Sequence, residues 1–430
     1  MNKRVSLLIL GAGGRSTIYA RLAALTPDKV QVVGVAEPRE FFRERLADEH
    51  GIAPEYRFSD WRDAAALPRF ADAVIIGMQD RMHVEPAEAF AKLGYHILIE
   101  KPLAPDVDGC RRIVEAAMEN NIIFSVCHVM RYAEYTGILR NIIDSGAIGE
   151  IMSIKHLEPV GHWRYAHAYV RGNWNREEES SSVLLAKSIH DLDWLYYIMF
   201  CPVKRISSFG DLSFFRRENM PKYAAQRCLD CQVAEECPYN APKFYLARLK
   251  SGTVDNYLES VTGVLTEEAI LEAMRSGPYG RCVFACDNDV ADHQVVSMEF
   301  VNGATATFSL VGASRFRHRE TNIFGSLGEI YCDSHKITIY SYLRGTTSVI
   351  NIEPENGTVE RHHGGGDKGC FDSFIDAVRT GDRNKILASA RIALESHLMV
   401  FAAEQSRKEG RTISMQEFCR EHNIPDISEL

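Results

Sequence analysis

Apolar and amphipathic stretches alternate over the first third of the chain. Continuous apolar runs at 5–10, 30–36, 73–78, 96–100 and 122–126 predict buried strands. Apolar positions three or four apart over 16–25, 40–50, 84–93 and 106–120 predict helices, with Gly94 closing the third. Strands apolar on both faces and joined by helices build a parallel sheet covered on both sides. Residues 1–127 therefore read as a complete doubly wound domain.

Beyond about residue 128 the rhythm changes. Strand-like segments at 151–159, 295–300, 304–310, 320–324 and 328–332 predict an antiparallel meander. Long helices are expected at 182–199 and 386–409. Between them, 212–279 is irregular and Cys-rich, in an insertion running to about 282, and a segment that long needs its own source of order. The expected fold is α/β, with a parallel-sheet domain followed by an α+β domain, 128–430, built on a large, mostly antiparallel sheet.

Composition narrows the function. The 430 residues are 46% hydrophobic and 25% charged, enough for two cores. A net charge of -9 without clustered Lys and Arg argues against a nucleic-acid partner. The first apolar run stops after six residues at Gly11, too short for a signal peptide or a membrane span. No later stretch reads as transmembrane, so a soluble, cytoplasmic protein without a membrane partner is expected. Eleven cysteines without a secretory signal point to reduced thiols or a metal site.

Gly11-Ala12-Gly13-Gly14-Arg15-Ser16 lies between the first strand and first helix, the place where backbone amides meet a pyrophosphate in a Rossmann domain, although Ser16 replaces the third glycine. Glu37, at the end of the second strand, is placed to accept from both ribose hydroxyls and to repel a 2′-phosphate, favouring NAD over NADP. Arg39 weakens that preference, and a purely structural Glu37 stays open. Gln79, His83, Glu100 and Lys101 are further candidates for the cofactor site.

With Glu100-Lys101-Pro102, the glycine loop, Val74-Ile75-Ile76, His83 and Gly94, the chain resembles the glucose-fructose oxidoreductase, inositol dehydrogenase and MocA family (Gfo/Idh/MocA). The resemblance implies that Lys101 lies between nicotinamide and substrate, where an ammonium can stabilise a developing alkoxide. A second family motif, G-x-H-x-x-D, is matched by Ser188 to Asp193, and it implies that His190 takes the proton of the oxidised hydroxyl. Dehydrogenases of the family carry Asp or Tyr four residues before this histidine; here Ala186 stands there. Lys187, His190, Asp191 and Trp194 would share one helix face, either toward substrate or with Lys187 and Asp191 as a solvated pair.

Further candidates surround this site. His128, Arg131 and Tyr132 follow the last parallel strand, His128 and Tyr132 as acid/base groups and Arg131 for an acidic substituent. Glu158, His162, Trp163, His167, Arg171 and Trp174 suit a sugar, and His363 in a glycine-rich loop, Glu395 and His397 are further lining candidates. Cys228, Cys231 and Cys237 with Cys282, or Cys286 in its place, would suit a structural zinc; packed reduced thiols are the alternative.

Three functions fit these residues: oxidation of a secondary hydroxyl of a sugar or cyclitol by NAD; glycoside cleavage through transient C3 oxidation, elimination, hydration and re-reduction; and a non-catalytic NAD sensor. A homodimer or homotetramer is expected, with a small carbohydrate as substrate.

Overall fold

A computed structural model describes residues 4–253, 256–315, 317–352 and 358–424. Strands β1 (Val5–Leu10), β2 (Val30–Ala36), β3 (Arg57–Phe58), β4 (Ala73–Ile76), β5 (His96–Ile99) and β6 (Phe124–Val126) form one sheet ordered β3-β2-β1-β4-β5-β6. Every pairing in it is parallel. The strand order reverses between β1 and β4, and in such sheets ligands bind outside the carboxyl ends of the strands at that switch point.

Both faces of this sheet are closed by residues from far along the chain. On one, Cys370, Phe371 and Phe374 of the Gly366–Thr380 helix share a core with Leu7, Ile9 and Tyr19. On the other, Ala402 and Leu398 of the Ala390–Glu409 helix join Leu8, Val74, Phe90 and Ile113. Val126 N–H donates to Ala388 O at 3.0 Å. Packing therefore runs straight across the 127/128 division expected from sequence. The segment Arg383–Glu409 is long and apolar enough to cross a membrane, contrary to expectation, but two-thirds of its apolar window is buried in the protein, as a core helix requires.

The second sheet has nine strands. Besides β7 (Ile151–Pro159), β9 (His293–Phe300), β10 (Thr305–Val311), β11 (Glu320–Gly325) and β12 (Gly328–Cys332), it contains β8 (Val203–Asp211), β13 (Lys336–Ser341), β14 (Thr346–Asn351) and β15 (Ile413–Ser414). Its order, β14-β13-β12-β11-β7-β10-β9-β8-β15, is not a simple meander, because β7 sits between β11 and β10 and runs parallel to β10. A parallel neighbour demands a long crossover. The chain between β7 and β10 supplies it.

Two expected elements differ. The 182–199 helix is broken into Val183–Ala186 and Ile189–Met199, with Lys187 and Ser188 at the join. The insertion is largely helical: Ala241–Lys250, Asn256–Val261 and Glu267–Ser276 enclose a small separate core of Tyr245, Leu258, Ile270 and Met274. Asn240 and Thr266 cap two of these helices, accepting from Lys243 and Ala269 N–H.

Candidate active site

The glycine loop is shaped by close approach. Gly11 has φ +82°, and a Cβ there would lie 2.8 Å from Gly77 O. Ser16 can replace the third glycine because it faces Gly77, where a Cβ would fall 2.2 Å from the Ser16 Oγ. A Cβ on Gly13 would meet nothing within 4 Å, and the Gly14–Leu25 helix starts without a side-chain cap. Open space before uncapped helical amides fits a dinucleotide pyrophosphate.

Glu37 accepts from Ala12 N–H at 2.8 Å and from Arg39 through its backbone N–H at 3.0 Å and its guanidinium at 2.7 and 3.0 Å. Burial would raise the carboxyl pKa, but Arg39 and the Ala12 amide outweigh it and hold it below the ordinary value. Arg15 donates to Glu100 at 2.7 Å, to Asp367 at 2.7 and 3.2 Å, and to the Tyr19 hydroxyl at 2.8 Å. His363 is drawn in as well, 3.0 Å from Asp367. Arg15 and Glu100 thus fasten the glycine-loop helix to the second domain rather than offering free side chains to a cofactor. His83 is likewise fully buried, with Nδ1 2.9 Å from Pro102 O and Nε2 3.2 Å from Met78 O, so it positions the Lys101 turn. Gln79 is exposed just beyond the carboxyl end of β4.

Lys101 crosses to the other domain. Its Nζ donates to Ala186 O at 2.6 Å, at the end of the first half of the broken helix. The lysine is thus received by the backbone of Ala186, the position at which the sequence departs from the family pattern. Burial pulls the Lys101 pKa down, against Glu100 and Asp80. His190 follows the break, and burial, then Lys101, His128 and His363, hold it well below its ordinary pKa, so the ring is neutral at neutral pH. His190 Nδ1, Ser188 Oγ and Asp80 Oδ2 are buried without hydrogen-bond partners. Buried polar atoms are rarely left so unless something else satisfies them.

Beside them lies a charged cluster. Lys187 pairs with Glu158 at 3.0 Å, and Arg319 reaches Glu158 at 2.9 Å and also binds Asp191. Asp191 lies 3.2 Å from His156 Nε2. Burial pushes Lys187 down to about 7, opposed by Glu158 and reinforced by Arg319 and Arg164. Arg319, Arg164, Asp80 and His156 were missed by sequence reasoning, because each stands alone in sequence and joins the cluster only through folding. Lys187 and Asp191 are not a solvated pair: both are buried, with partners on other elements. Trp194 is fully buried and donates to Thr136 Oγ1 at 2.9 Å, so no single substrate-facing stripe exists.

Several candidates are turned to other work. Arg131 is clamped by Asp193 in two 2.8 Å bonds and donates to Leu387 O at 3.0 Å, leaving no free guanidinium for an acidic substituent. The Tyr132 hydroxyl accepts from Leu387 N–H at 2.8 Å. His128 is fully buried and pushed down to about 4 by burial, backing His190 with ring centroids 6.2 Å apart. His397 accepts from Leu103 N–H at 2.9 Å and donates to Ala393 O. Glu395 pairs with the Tyr196 hydroxyl.

The segment expected as an aromatic loop forms a short helix, His162–Tyr165, running into a π-helix, Ala166–Arg171. Much of it holds the insertion instead of a sugar. Trp163 stacks on Phe244 at 3.9 Å, and His167 stacks on Tyr279 at 4.6 Å and bonds the Tyr245 hydroxyl at 2.7 Å. Arg171 donates to Arg281 O and Tyr239 O, both at 2.8 Å. His162 lies 3.3 Å from Ser314 O. Trp174 alone of these aromatics is exposed.

Cys228, Cys231, Cys237 and Cys282 line one small cavity, whereas Cys286 bonds Cys282 O from outside it. Among the described residues no three His, Cys, Asp or Glu side chains form a group that could hold a metal ion.

Comparison with known proteins agrees with this geometry. A model of an oxidoreductase family's NAD-binding Rossmann fold matches residues 5–128, and that family's C-terminal α/β domain matches residues 140–415. The Bacillus subtilis (strain 168) protein YteT is 22% identical over 371 residues, 82% of this chain and 83% of that one. The 2,7-anhydro-N-acetylneuraminate hydratase of Escherichia coli (strain K12) is 30% identical over 137 residues, covering 32% of this chain and only 36% of the hydratase. A levoglucosan dehydrogenase solved with NADH and levoglucosan superposes with a TM-score of 0.68 at 16% identity, over 96% of this chain and all of that one.

Proposed function

The chain belongs to the Gfo/Idh/MocA family of NAD-binding oxidoreductases, and from that premise we propose that its cleft oxidises a secondary hydroxyl of a sugar or cyclitol to a ketone. The observation that carries this reading is the Lys101 bond to Ala186 O, which joins the cofactor domain to the helix break before His190. NAD, when bound along the glycine loop, supplies the hydride acceptor. Lys101 keeps two further N–H donors for the substrate oxygen and stabilises its developing negative charge. His190, neutral through burial, accepts the hydroxyl proton. Lys187, titrating at about 7, is the second proton-holding group of the cleft.

The ionised Glu37 supports NAD over NADP. An open sheet face exposing Phe209, Val295 and Phe324 supports a homodimer or homotetramer, and reduced thiols such as those of Cys110, Cys127 and Cys370 support a cytoplasmic setting.

Glycoside cleavage through transient oxidation is the second reading. It is favoured by the number of proton-holding groups around one cleft: Asp80, raised by burial, beside Lys101, His190 and Lys187. The NAD-loaded protein is incubated with pyranoses, cyclitols and aryl glycosides while NADH absorbance and aglycone release are followed together. NADH accumulation without aglycone is the expected result. Aglycone release without net NADH favours the second reading, and tight NAD binding with neither signal overturns both in favour of a sensor.

A further inference from the structure

We propose that Cys228, Cys231, Cys237 and Cys282 bind one zinc ion as thiolates, and that this ion pins the insertion against the wall of the active site. The proposal begins with placement. Cys228, Cys231 and Cys237 are close in sequence, whereas Cys282 arrives from the other side of the insertion. An isolated antiparallel bridge between Arg227 and Arg281, with Cys282 N–H donating to Gln226 O at 2.9 Å, brings the segments that carry Cys228 and Cys282 together, the two cysteines offset on either side of the bridging pair. All four then line one cavity of about 20 Å³. That is room for a single ion or water, not for an organic ligand.

The local backbone suits metal ligation. Cys228–Asp230 and Ala234–Glu236 are tight turns ending at Cys231 and Cys237, closed by Cys231 N–H to Cys228 O at 3.4 Å and Cys237 N–H to Ala234 O at 3.2 Å. Tyr239 N–H donates to the Cys237 sulfur at 3.4 Å. Arg171 supplies charge compensation: its Nη2 lies 3.5 Å from the Cys228 sulfur, and its Nη1 is buried with no hydrogen-bond partner. Four thiolates around a divalent cation leave a net negative charge that a buried guanidinium neutralises. A fully thiolate, tetrahedral set with no open position fits structural zinc, with Zn–S bonds of about 2.3 Å. Because no three of these side chains stand in ligating arrangement without metal, the half-buried Cys231 and Cys237, each at the end of a short turn, must rotate about their own bonds on binding.

The small separate core of the insertion explains the need. A handful of buried residues gives a subdomain of this size little stability unless it is stapled. Arg171 ends the π-helix that follows Arg164, and Arg164 acts electrostatically on both Lys101 and Lys187. The zinc would thus hold one wall of the cleft without touching substrate.

The full-length protein, purified without chelator, is analysed for metals and titrated with a thiol reagent before and after a mercurial displaces bound metal. About one zinc per chain is expected, released together with four protected thiols. Cys228→Ser and Cys282→Ser lose the zinc, and Cys286→Ser keeps it. Should the serine variants not fold, chelation of the wild-type protein gives the same reading: zinc loss opens 212–282 to limited proteolysis and lowers Tm. Metal-free protein with these thiols reactive, a disulfide among them, or visible absorbance from an iron–sulfur cluster overturns the proposal.

Discussion

The two walls of the cleft satisfy their polar groups in opposite ways. On the cofactor side Glu37, Arg15 and Glu100 are engaged by partners within the protein, and the shape is complete before any ligand arrives. On the substrate side Asp80, Ser188 and His190 keep buried atoms without partners, and Lys187 is held at a pKa of about 7. A saturated network makes a rigid scaffold, whereas unsatisfied buried groups mark where the ligand must complete the structure. Below the second wall, the buried Arg131–Asp193 pair ties the segment that follows β6 to the Ile189–Met199 helix.

Breaking that pair has the largest expected effect. Asp193→Ala leaves Arg131 buried and uncompensated, so stability should fall by about 3–5 kcal/mol, read as a large drop in Tm. A smaller change would mean that Arg131 finds compensation from other groups, such as Leu387 O.

Lys187→Met sharpens the comparison next. Its pKa is lowered from 10.5 to about 7, so in the direction of sugar oxidation kcat/KM should rise through about pH 7 as the ammonium loses its proton. The variant should lose that limb and about 10²-fold in rate at pH 8. An unchanged profile would remove Lys187 from the chemistry. On the saturated wall, Arg39→Ala frees Glu37 for ribose hydroxyls and removes a cation that a 2′-phosphate could use, so NAD should gain roughly tenfold over NADP in relative Kd.

The smallest effect is at Glu395, away from the cleft. Burial raises its pKa from 4.5 to about 7, so the fold favours the protonated form. That contribution is full below about pH 4.5 and is lost as pH rises to about 7. Glu395→Gln should flatten this loss, by about 1 kcal/mol once partial exposure is discounted, in melts at pH 5 and 8.

What the sequence revealed follows the same division. The parallel sheet, the glycine loop, Lys101 and His190 were legible because each is carried by local periodicity or contiguous spacing. Arg319 and Asp80 were not, since their roles arise from pairings with distant residues. Arg131 and Arg171 misled for a related reason: an arginine reads alike whether it faces a ligand or a buried Asp or backbone carbonyl. Strands β13 and β14, the last two at one end of the sheet, escaped because they bury few positions and so lack the alternation that marks a half-buried strand. The insertion hid its helices behind cysteines and a mixed apolar pattern.

The central claim is that Lys101, bridging the two domains, acts on the substrate rather than merely fastening the cleft. Lys101→Met should be assayed for NAD binding by calorimetry and for NADH formation in a single turnover with the best substrate of the panel. NAD affinity close to wild type with NADH formation slowed by about 10³-fold or more is the predicted result. NADH formation at the wild-type rate would contradict the account.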